Sequence, residues 1–321
     1  MRRVSFGRTG VSVPAVSLGT WGYSGANMNN GVSVGWTGHD DELARKALVR
    51  AAAEGIDHWD TADVYGSGRS EALIGEMWGD VRRDTIFLAT KVGWDKGGHD
   101  HFYHPDVIRA NFERSLRNLQ TDVIDLYYLH QCDFGPNDEY FDDAIALVRR
   151  FREQGKVRFI GLSDWDARKI MRFIDRVEPD VVQPYRNVVD DDFAESGLRD
   201  WITKHEAGVA FFSPIMHGLL LGKYEAPVSF PEGDFRRNVE GFGSAAVIAR
   251  MQRARKQVEA RWPLHPQPVL HALIGALLAD APTGCVLLGQ RNPTQVVSAA
   301  AVGEALKPED VAWIREIYRE G

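Results

Sequence analysis

Cysteine is nearly absent: the 321 residues include two, Cys132 and Cys285, far apart and without C-x-x-C spacing. That excludes a disulfide framework and a thiolate metal site, and fits a reducing compartment. Nowhere does the chain run the ~18 apolar residues that a membrane span needs, and its opening, MRRVSFGRTG, has no apolar signal segment. A soluble, cytoplasmic protein is expected. Excess positive charge is missing as well: the formal charge of -7 argues against a general nucleic-acid binder, which carries a basic face to replace counterions on the phosphates. Finally, no strand-like run is followed by G-x-G-x-x-G. GTWGYSG at 19–25 has the wrong spacing, which counts against an open dinucleotide-binding sheet.

What is present is repetition. Hydrophobic content of 44% and charged content of 26% are ordinary for a globular chain able to bury a sizeable core. Short apolar runs rich in β-branched and aromatic residues recur: AVSLG (15–19), IDHWD (56–60), TIFLATK (85–91), VIDLYYLH (123–130), VRFIGLS (157–163), VVQPY (181–185), GVAFFSP (208–214) and GCVLLG (284–289). Between them lie helical patterns, such as the stripe Leu43, Ala47, Leu48, Ala51 and the stripe Phe112, Leu116, Leu119 behind Pro105. Pro179 closes one helix, and Pro293 and Pro308 open others. Strands alternating with helices imply parallel crossovers. Eight such units without a compositional break predict an α/β fold, a (β/α)8 TIM barrel in one domain over 1–321. VSFGRTGVSV (4–13) predicts a hairpin able to close the barrel bottom, and the Gly-, Asn- and Pro-rich segments 20–39 and 222–243 predict long functional or mobile loops on the C-terminal face.

In such a barrel the chemistry stands at the C-terminal ends of the strands. Asp60 ends the second run, Lys91 the third and His130 the fourth, while Tyr65 follows in the loop after Asp60. Singly, each has a plain structural explanation: an ion pair, a loop aromatic, a satisfied histidine. Jointly they make a site. A phenol titrates near pH ~10 and needs a neighbouring cation to act as an acid at neutral pH. Lys91 would supply that charge, Asp60 would hold Lys91, and His130 would donate to a substrate oxygen. This is what reduction of a carbonyl demands, except that the hydride must come from a nicotinamide or flavin bound on the same rim.

At these residues the chain resembles the aldo-keto reductases, in particular the branch of bacterial enzymes and potassium-channel β subunits. The resemblance runs from FGRTGVSV (6–13) and LGTW (18–21) through DTADVYG (60–66), ATKV (89–92) and YYLH (127–130) to GLSDW (161–165), SPIMHGLLLGKY (213–224) and GQRNPTQ (289–295). It implies a barrel that binds NADP(H), with Asp60, Tyr65, Lys91 and His130 as the catalytic tetrad and Tyr65 as proton donor. It places cofactor contacts at Gly19, Thr20 and Trp21. Ser163, Asp164 and Gln183 fall beside the nicotinamide, and Phe212 where a ring stacks on it. Ser213, Pro214, Ile215, Gly218, Leu219 and Lys223 fall along the pyrophosphate. Arg236 resembles a long-loop contact, and Gly289, Arg291 and Gln295 match the adenosine end, where an arginine suits a 2′-phosphate. Asp164 stands where asparagine is usual, and Ser298-Ala299 where Glu-Asn is frequent, so those contacts differ from the family pattern. Arg186 is atypical, facing either an anionic substrate or solvent.

On the substrate side Trp21, Trp94 and Trp165 lie just past strand ends, where they either stack on a sugar or aromatic substrate or pack the loops. The expected partner is a small-molecule carbonyl, tilted towards a polar one such as a keto sugar. His99, His101 and His104 raise the alternative of a metal-dependent hydrolase, but their spacing matches no zinc pattern, and no metal is expected. A cofactor-binding redox sensor with little turnover is the other alternative. Oligomeric state is not legible.

Overall fold

The computed structural model describes residues 1–29 and 31–319. A short antiparallel hairpin comes first, β1 (Arg3–Ser5) with β2 (Ser12–Pro14). It is followed by β3 (Val16–Gly19), the rim pair β4 (Met28–Asn29) and β5 (Val32–Ser33), then β6 (His58–Asp60), β7 (Phe87–Val92), β8 (Ile124–Leu129), β9 (Val157–Asp164), β10 (Val181–Pro184), β11 (Gly208–Phe211) and β12 (Gly284–Gly289). Strands β3 and β6 to β12 pair in chain order, all parallel, and β12 returns to β3 to close the barrel. These are the eight runs read from the sequence. The runs overshoot at their ends: residues 83–85 form a 3-10 turn before β7, and Ser213 turns left-handed (φ 57°) beyond β11.

Local chemistry sets the helices around this barrel. Helix Asp41–Ala53 is capped by the Asp40 carboxylate, which accepts from the Leu43 amide, and it buries Ala44, Ala47, Leu48 and Ala51. Leu43 points outward instead, 41% exposed, because Ala44 takes the inward position of the first turn. Prolines open the helices Pro105–Asn118, Pro293–Ala300 and Pro308–Arg319, and the helix Ala167–Val177 stops just before Pro179 with Glu178 in the left-handed region. The hairpin plugs the bottom: the buried Phe6 ring meets His58 at 5.3 Å and Phe87 at 5.8 Å, both at the N-terminal ends of their strands.

Two glycines decide how the top is built. Gly161 in β9 leaves room for the Tyr128 ring of β8, since a Cβ there would lie 2.1 Å from a ring carbon. Gly66 has φ 62°, and a Cβ on it would meet the Ser24 carbonyl oxygen at 2.4 Å, so only glycine lets the loop after β6 lie against the loop after β3.

Arg186 faces neither substrate nor solvent. It is fully buried behind β10, with Nε and Nη2 donating to Asp280 Oδ2 at 3.1 and 2.7 Å and Nη1 to the Asn187 carbonyl at 2.9 Å. Asp280 also accepts from Arg315 at 2.7 Å, tying the C-terminal helix to the barrel. A buried guanidinium without its carboxylate is an uncompensated charge. Asp280→Ala is expected to lower the unfolding free energy by about 3 kcal/mol, read from the urea midpoint, where a surface pair would lose under about 1 kcal/mol.

Candidate active site

The strand register brings the predicted tetrad together. Asp60 lies beside Gly19 on one flank and Ala89 on the other, two residues before Lys91, and Lys91 is in register with Tyr128. Lys91 Nζ donates to Asp60 Oδ1 at 2.5 Å and to the Thr61 carbonyl at 2.6 Å, while Gln183 Nε2 donates to Asp60 Oδ2 at 2.8 Å. Each carboxylate oxygen thus accepts a hydrogen bond and the ammonium donates twice, the pattern of a charged pair held in a buried site. Beyond the strand, the Thr61 and Asp63 amides still bond to Ala89 and Lys91 carbonyls, which carries the chain in order to Tyr65.

Tyr65 and His130 face the cavity with ring centres 5.9 Å apart, edge to face, and Lys91 Nζ lies 5.1 Å from the Tyr65 ring centre. No described residue hydrogen-bonds the Tyr65 hydroxyl. Lys91 was expected to draw the phenol pKa down; the opposite direction prevails. Burial, then the Asp60 and Asp63 carboxylates, raise it well above its ordinary value, so the phenol is held protonated. Burial and the Lys91 charge push His130 far down, leaving a neutral imidazole. Burial also raises Asp60 and lowers Lys91, each resisted by the other's charge. Asp63, left open between turn capping and chemistry, is fully buried behind this pair with both oxygens unpartnered and Arg114 at 4.0 Å; burial and the neighbouring Glu71 hold its pKa well up.

From Tyr65 the cavity continues as one groove open to solvent. Gly19, Thr20, Trp21, Ser163, Gln183 and Phe212 line it near the tetrad; Ser213, Pro214, Ile215 and Gly218 follow; Lys223, Arg236, Gly289, Arg291 and Gln295 line the far end. Ser163 is in register with Gln183 and donates to its backbone carbonyl at 2.8 Å. At the far end Arg236 is neutralised by Asp234 through bonds of 2.9 and 2.6 Å, while Lys223 and Arg291 have no carboxylate partner among the described residues. Burial lowers both Lys223 and Arg291, and so does the Arg236 charge. Gly218 and Gly289 present bare backbone to open space there. Crowded cations and exposed backbone form a cradle that fits the phosphates of a dinucleotide.

The two long loops are stitched together as a roof over this groove. Gly233 accepts from the Asn27 and Gly35 amides at 3.0 and 3.1 Å, Phe235 N donates to Gly35 O at 2.9 Å, and Asn238 donates to Ser33 O at 2.8 Å. Buried Asp234 is the rivet, accepting from Thr37 and Arg236; despite burial, these bonds hold its carboxyl down at about 2.

Two expected cofactor contacts fall elsewhere. The Asp164 carboxylate turns from the groove to accept from the Cys132 and Asp166 amides at 2.7 and 2.8 Å, bracing loops with a group that cannot donate when ionised. Leu219 is buried in the core, 2% exposed, because the left-handed turn at residues 216–218 rotates it inward and brings Leu221 to the groove. Trp21, Trp94 and Trp165 do line the groove, Trp21 stacked on Tyr65 at 6.0 Å and Trp94 edge-on to His130 at 6.1 Å. The sequence did not single out Asn29, Val34, Trp36, Val64, His217 or Phe235. Their signal was membership of the segments that follow strands. The three loop histidines are used locally: His104 Nδ1 accepts from the Asp106 amide at a helix start and stacks on His99, and His101 stacks on Tyr140. Among the described residues no cluster of three or more His, Cys, Asp or Glu is arranged to hold a metal, and no helix is long and apolar enough to cross a membrane.

Residues 15–319 match the model of the Aldo/keto reductase family. The NADP(+)-designated aldo-keto reductase yakc of Schizosaccharomyces pombe is 32% identical over 236 residues, 70% of this chain and 65% of that protein. An NADH-specific methylglyoxal reductase of Escherichia coli is 27% identical over 234 residues, 69% of this chain and 70% of its own length. Among solved structures, a glycerol dehydrogenase from Gluconobacter oxydans superposes with a TM-score of 0.80 at 26% identity, covering 98% of this chain and 94% of that one.

Burial, with the charges of Lys91 and Arg236 respectively, lowers His58 and His217 from 6.5 to about 3. Below 6.5 the unfolded chain takes up protons there that the native state refuses, so stability falls with pH and is fully present only above that value. Between neutral pH and about 5, urea midpoints of His58→Phe are expected to lack the decline that His58 contributes in wild type, where carboxyls raised by burial, such as Asp63, act in the opposite direction.

Proposed function

The chain belongs to the aldo/keto reductase family of oxidoreductases, and from that premise we propose that it is a cytoplasmic, single-domain (1–321), NADPH-dependent reductase of a neutral aldehyde or ketone. The observation that carries this reading is the polarity of one groove, with the Tyr65–His130 pair at one end and Lys223 and Arg291, free of carboxylate partners among the described residues, at the other. A bound reduced nicotinamide supplies the hydride. Asp60, Lys91, Tyr65 and His130 do the rest. Tyr65, held protonated, gives its proton to the carbonyl oxygen as negative charge develops, and neutral His130 donates a hydrogen bond to the same oxygen. Lys91, braced by Asp60, favours the phenolate that remains. Gln183 keeps Asp60 oriented through Nε2, and its Oε1, with Ser163 beside it and Phe212 on the same wall, would hold the nicotinamide when it is bound.

Arg291 supports a 2′-phosphate on the adenosine end, hence NADPH over NADH, with Lys223 nearby for the remaining phosphates. Around Tyr65 and His130 the wall is Trp21, Trp94, Trp165 and Val64, and the Asn29 amide is committed to the Trp94 carbonyl at 3.2 Å. With no further charge on that wall among the described residues, a neutral carbonyl compound fits, and keto sugars whose apolar face stacks on indole are the class to assay first.

In a panel of aldehydes and ketones, NADPH oxidation is expected, and Tyr65→Phe should lower the hydride-transfer rate by about 10³-fold while NADPH affinity changes less than about threefold. Full rate in that variant would overturn the tetrad assignment, and tight cofactor binding without turnover on any substrate would favour a redox-sensing role. Arg291→Ala is expected to raise the Kd for NADPH by about tenfold and leave that for NADH unchanged, measured by fluorescence titration.

A further inference from the structure

Tyr128 has no task in the reaction described above, yet the barrel is shaped to admit it. It stands opposite Lys91 across the β7–β8 pairing, so both side chains enter the barrel interior, and Lys91 Nζ lies 5.9 Å from its ring centre. The phenol is fully buried. On its other flank is Gly161, where a Cβ would meet three atoms of the ring at 2.1, 2.4 and 2.8 Å. The ring therefore lies across β9, in the space of a missing side chain. Glycine inside a strand forfeits packing and backbone entropy, so its presence here is a concession to the ring.

The hydroxyl explains the concession. Tyr128 Oη is buried and makes no hydrogen bond of ordinary length among the described residues, a desolvation cost that a phenyl ring in the same place would avoid. Beyond β9 comes β10, which pairs Val181 with Gly161 and carries Gln183 two residues further along the same face. Burial first, then the Asp60 and Cys285 charges, raise the phenol pKa well above its ordinary value, opposed by Gln183 as hydrogen-bonding neighbour; the group is a donor. Gln183 Nε2 is committed to Asp60 Oδ2 at 2.8 Å, which leaves Oε1 as the acceptor for that donor. One hydrogen bond lets an amide turn about it, and a second fixes its plane. Donor and acceptor at catalytic sites often stand far apart until a ligand is bound. We propose that Tyr128 is a positioning residue whose hydroxyl donates to Gln183 Oε1 and fixes the amide that serves both Asp60 and the nicotinamide. A carbonyl oxygen has two lone pairs, so Oε1 accepts from the phenol on one and keeps the other for the cofactor. The proposal rests on the dinucleotide reading above and adds to it a residue beneath the tetrad.

The test is a double-mutant cycle read by binding, from quenching of tryptophan fluorescence in the full-length protein. Wild type, Tyr128→Phe, Gln183→Ala and the double variant are titrated with NADPH and with 2′-phospho-ADP-ribose, which lacks the nicotinamide. Phenylalanine keeps the ring over Gly161 and removes only the buried hydroxyl, so its urea midpoint is expected to equal or exceed that of wild type. Tyr128→Phe is expected to weaken NADPH binding about fivefold beside Gln183, by less than about twofold beside Ala at that position, and to leave the Kd for 2′-phospho-ADP-ribose unchanged. Hydride transfer in single turnover should fall about tenfold, again only where Gln183 is present. Unchanged NADPH binding by Tyr128→Phe, an equal loss in both Gln183 backgrounds, or an equal loss for 2′-phospho-ADP-ribose would overturn the assignment and leave the dinucleotide reading intact. A wild type that binds neither ligand would sink both.

Discussion

The buried Asp60–Lys91 pair is the constraint to which the rest of the site answers. Two charges removed from water cost several kcal/mol each unless geometry and further hydrogen bonds compensate, so an exact partner set must exist before the pair is tolerable. The closed barrel supplies it from three directions: the opposing charge from adjacent strands, the Thr61 carbonyl from the strand's continuation, and the Gln183 amide from across the barrel. Rigidity is a by-product. A lysine fixed this way holds its charge 5.1 Å from the Tyr65 ring centre and 5.9 Å from that of Tyr128.

Around this centre the molecule separates its duties by rigidity. Strand ends, paired on both sides, carry the groups whose positions must not drift. Loops carry recognition: the indoles facing Tyr65 come from segments that follow β3, β7 and β9, and the roof comes from the two longest insertions. Asp234 makes the roof one object instead of two, since Thr37 from one loop and Arg236 from the other share its carboxylate.

Much of this was legible before any coordinates. The eight strands announced themselves as short apolar runs between helical stripes, and because barrel chemistry gathers at strand ends, Asp60, Lys91 and His130 could be picked by position alone. Most of what stayed hidden depends on contacts between residues remote in sequence, and the rest on local backbone conformation. Arg186 and Asp280 are 94 positions apart, so neither could be read as buried. Asp164 sits in a familiar motif but answers to the Cys132 amide on another loop. The exchange of Leu219 for Leu221 follows from a left-handed turn that the sequence MHG does not disclose. The rise in the Tyr65 pKa reflects burial, which a spacing argument does not weigh against a neighbouring cation.

The seam between β12 and β3 joins the last strand of the sheet to its first, pairing Val286 with Val16 and Gly289 with Gly19. Loop-closure entropy for so remote a pairing is met only when nearly the whole chain is available. Until the final strand emerges from synthesis, β3 has an open edge, and Gly19, one flank of Asp60, lacks its neighbour Gly289. A nascent chain short of β12 lacks Gly289, Arg291 and Gln295, so the far end of the groove is completed last.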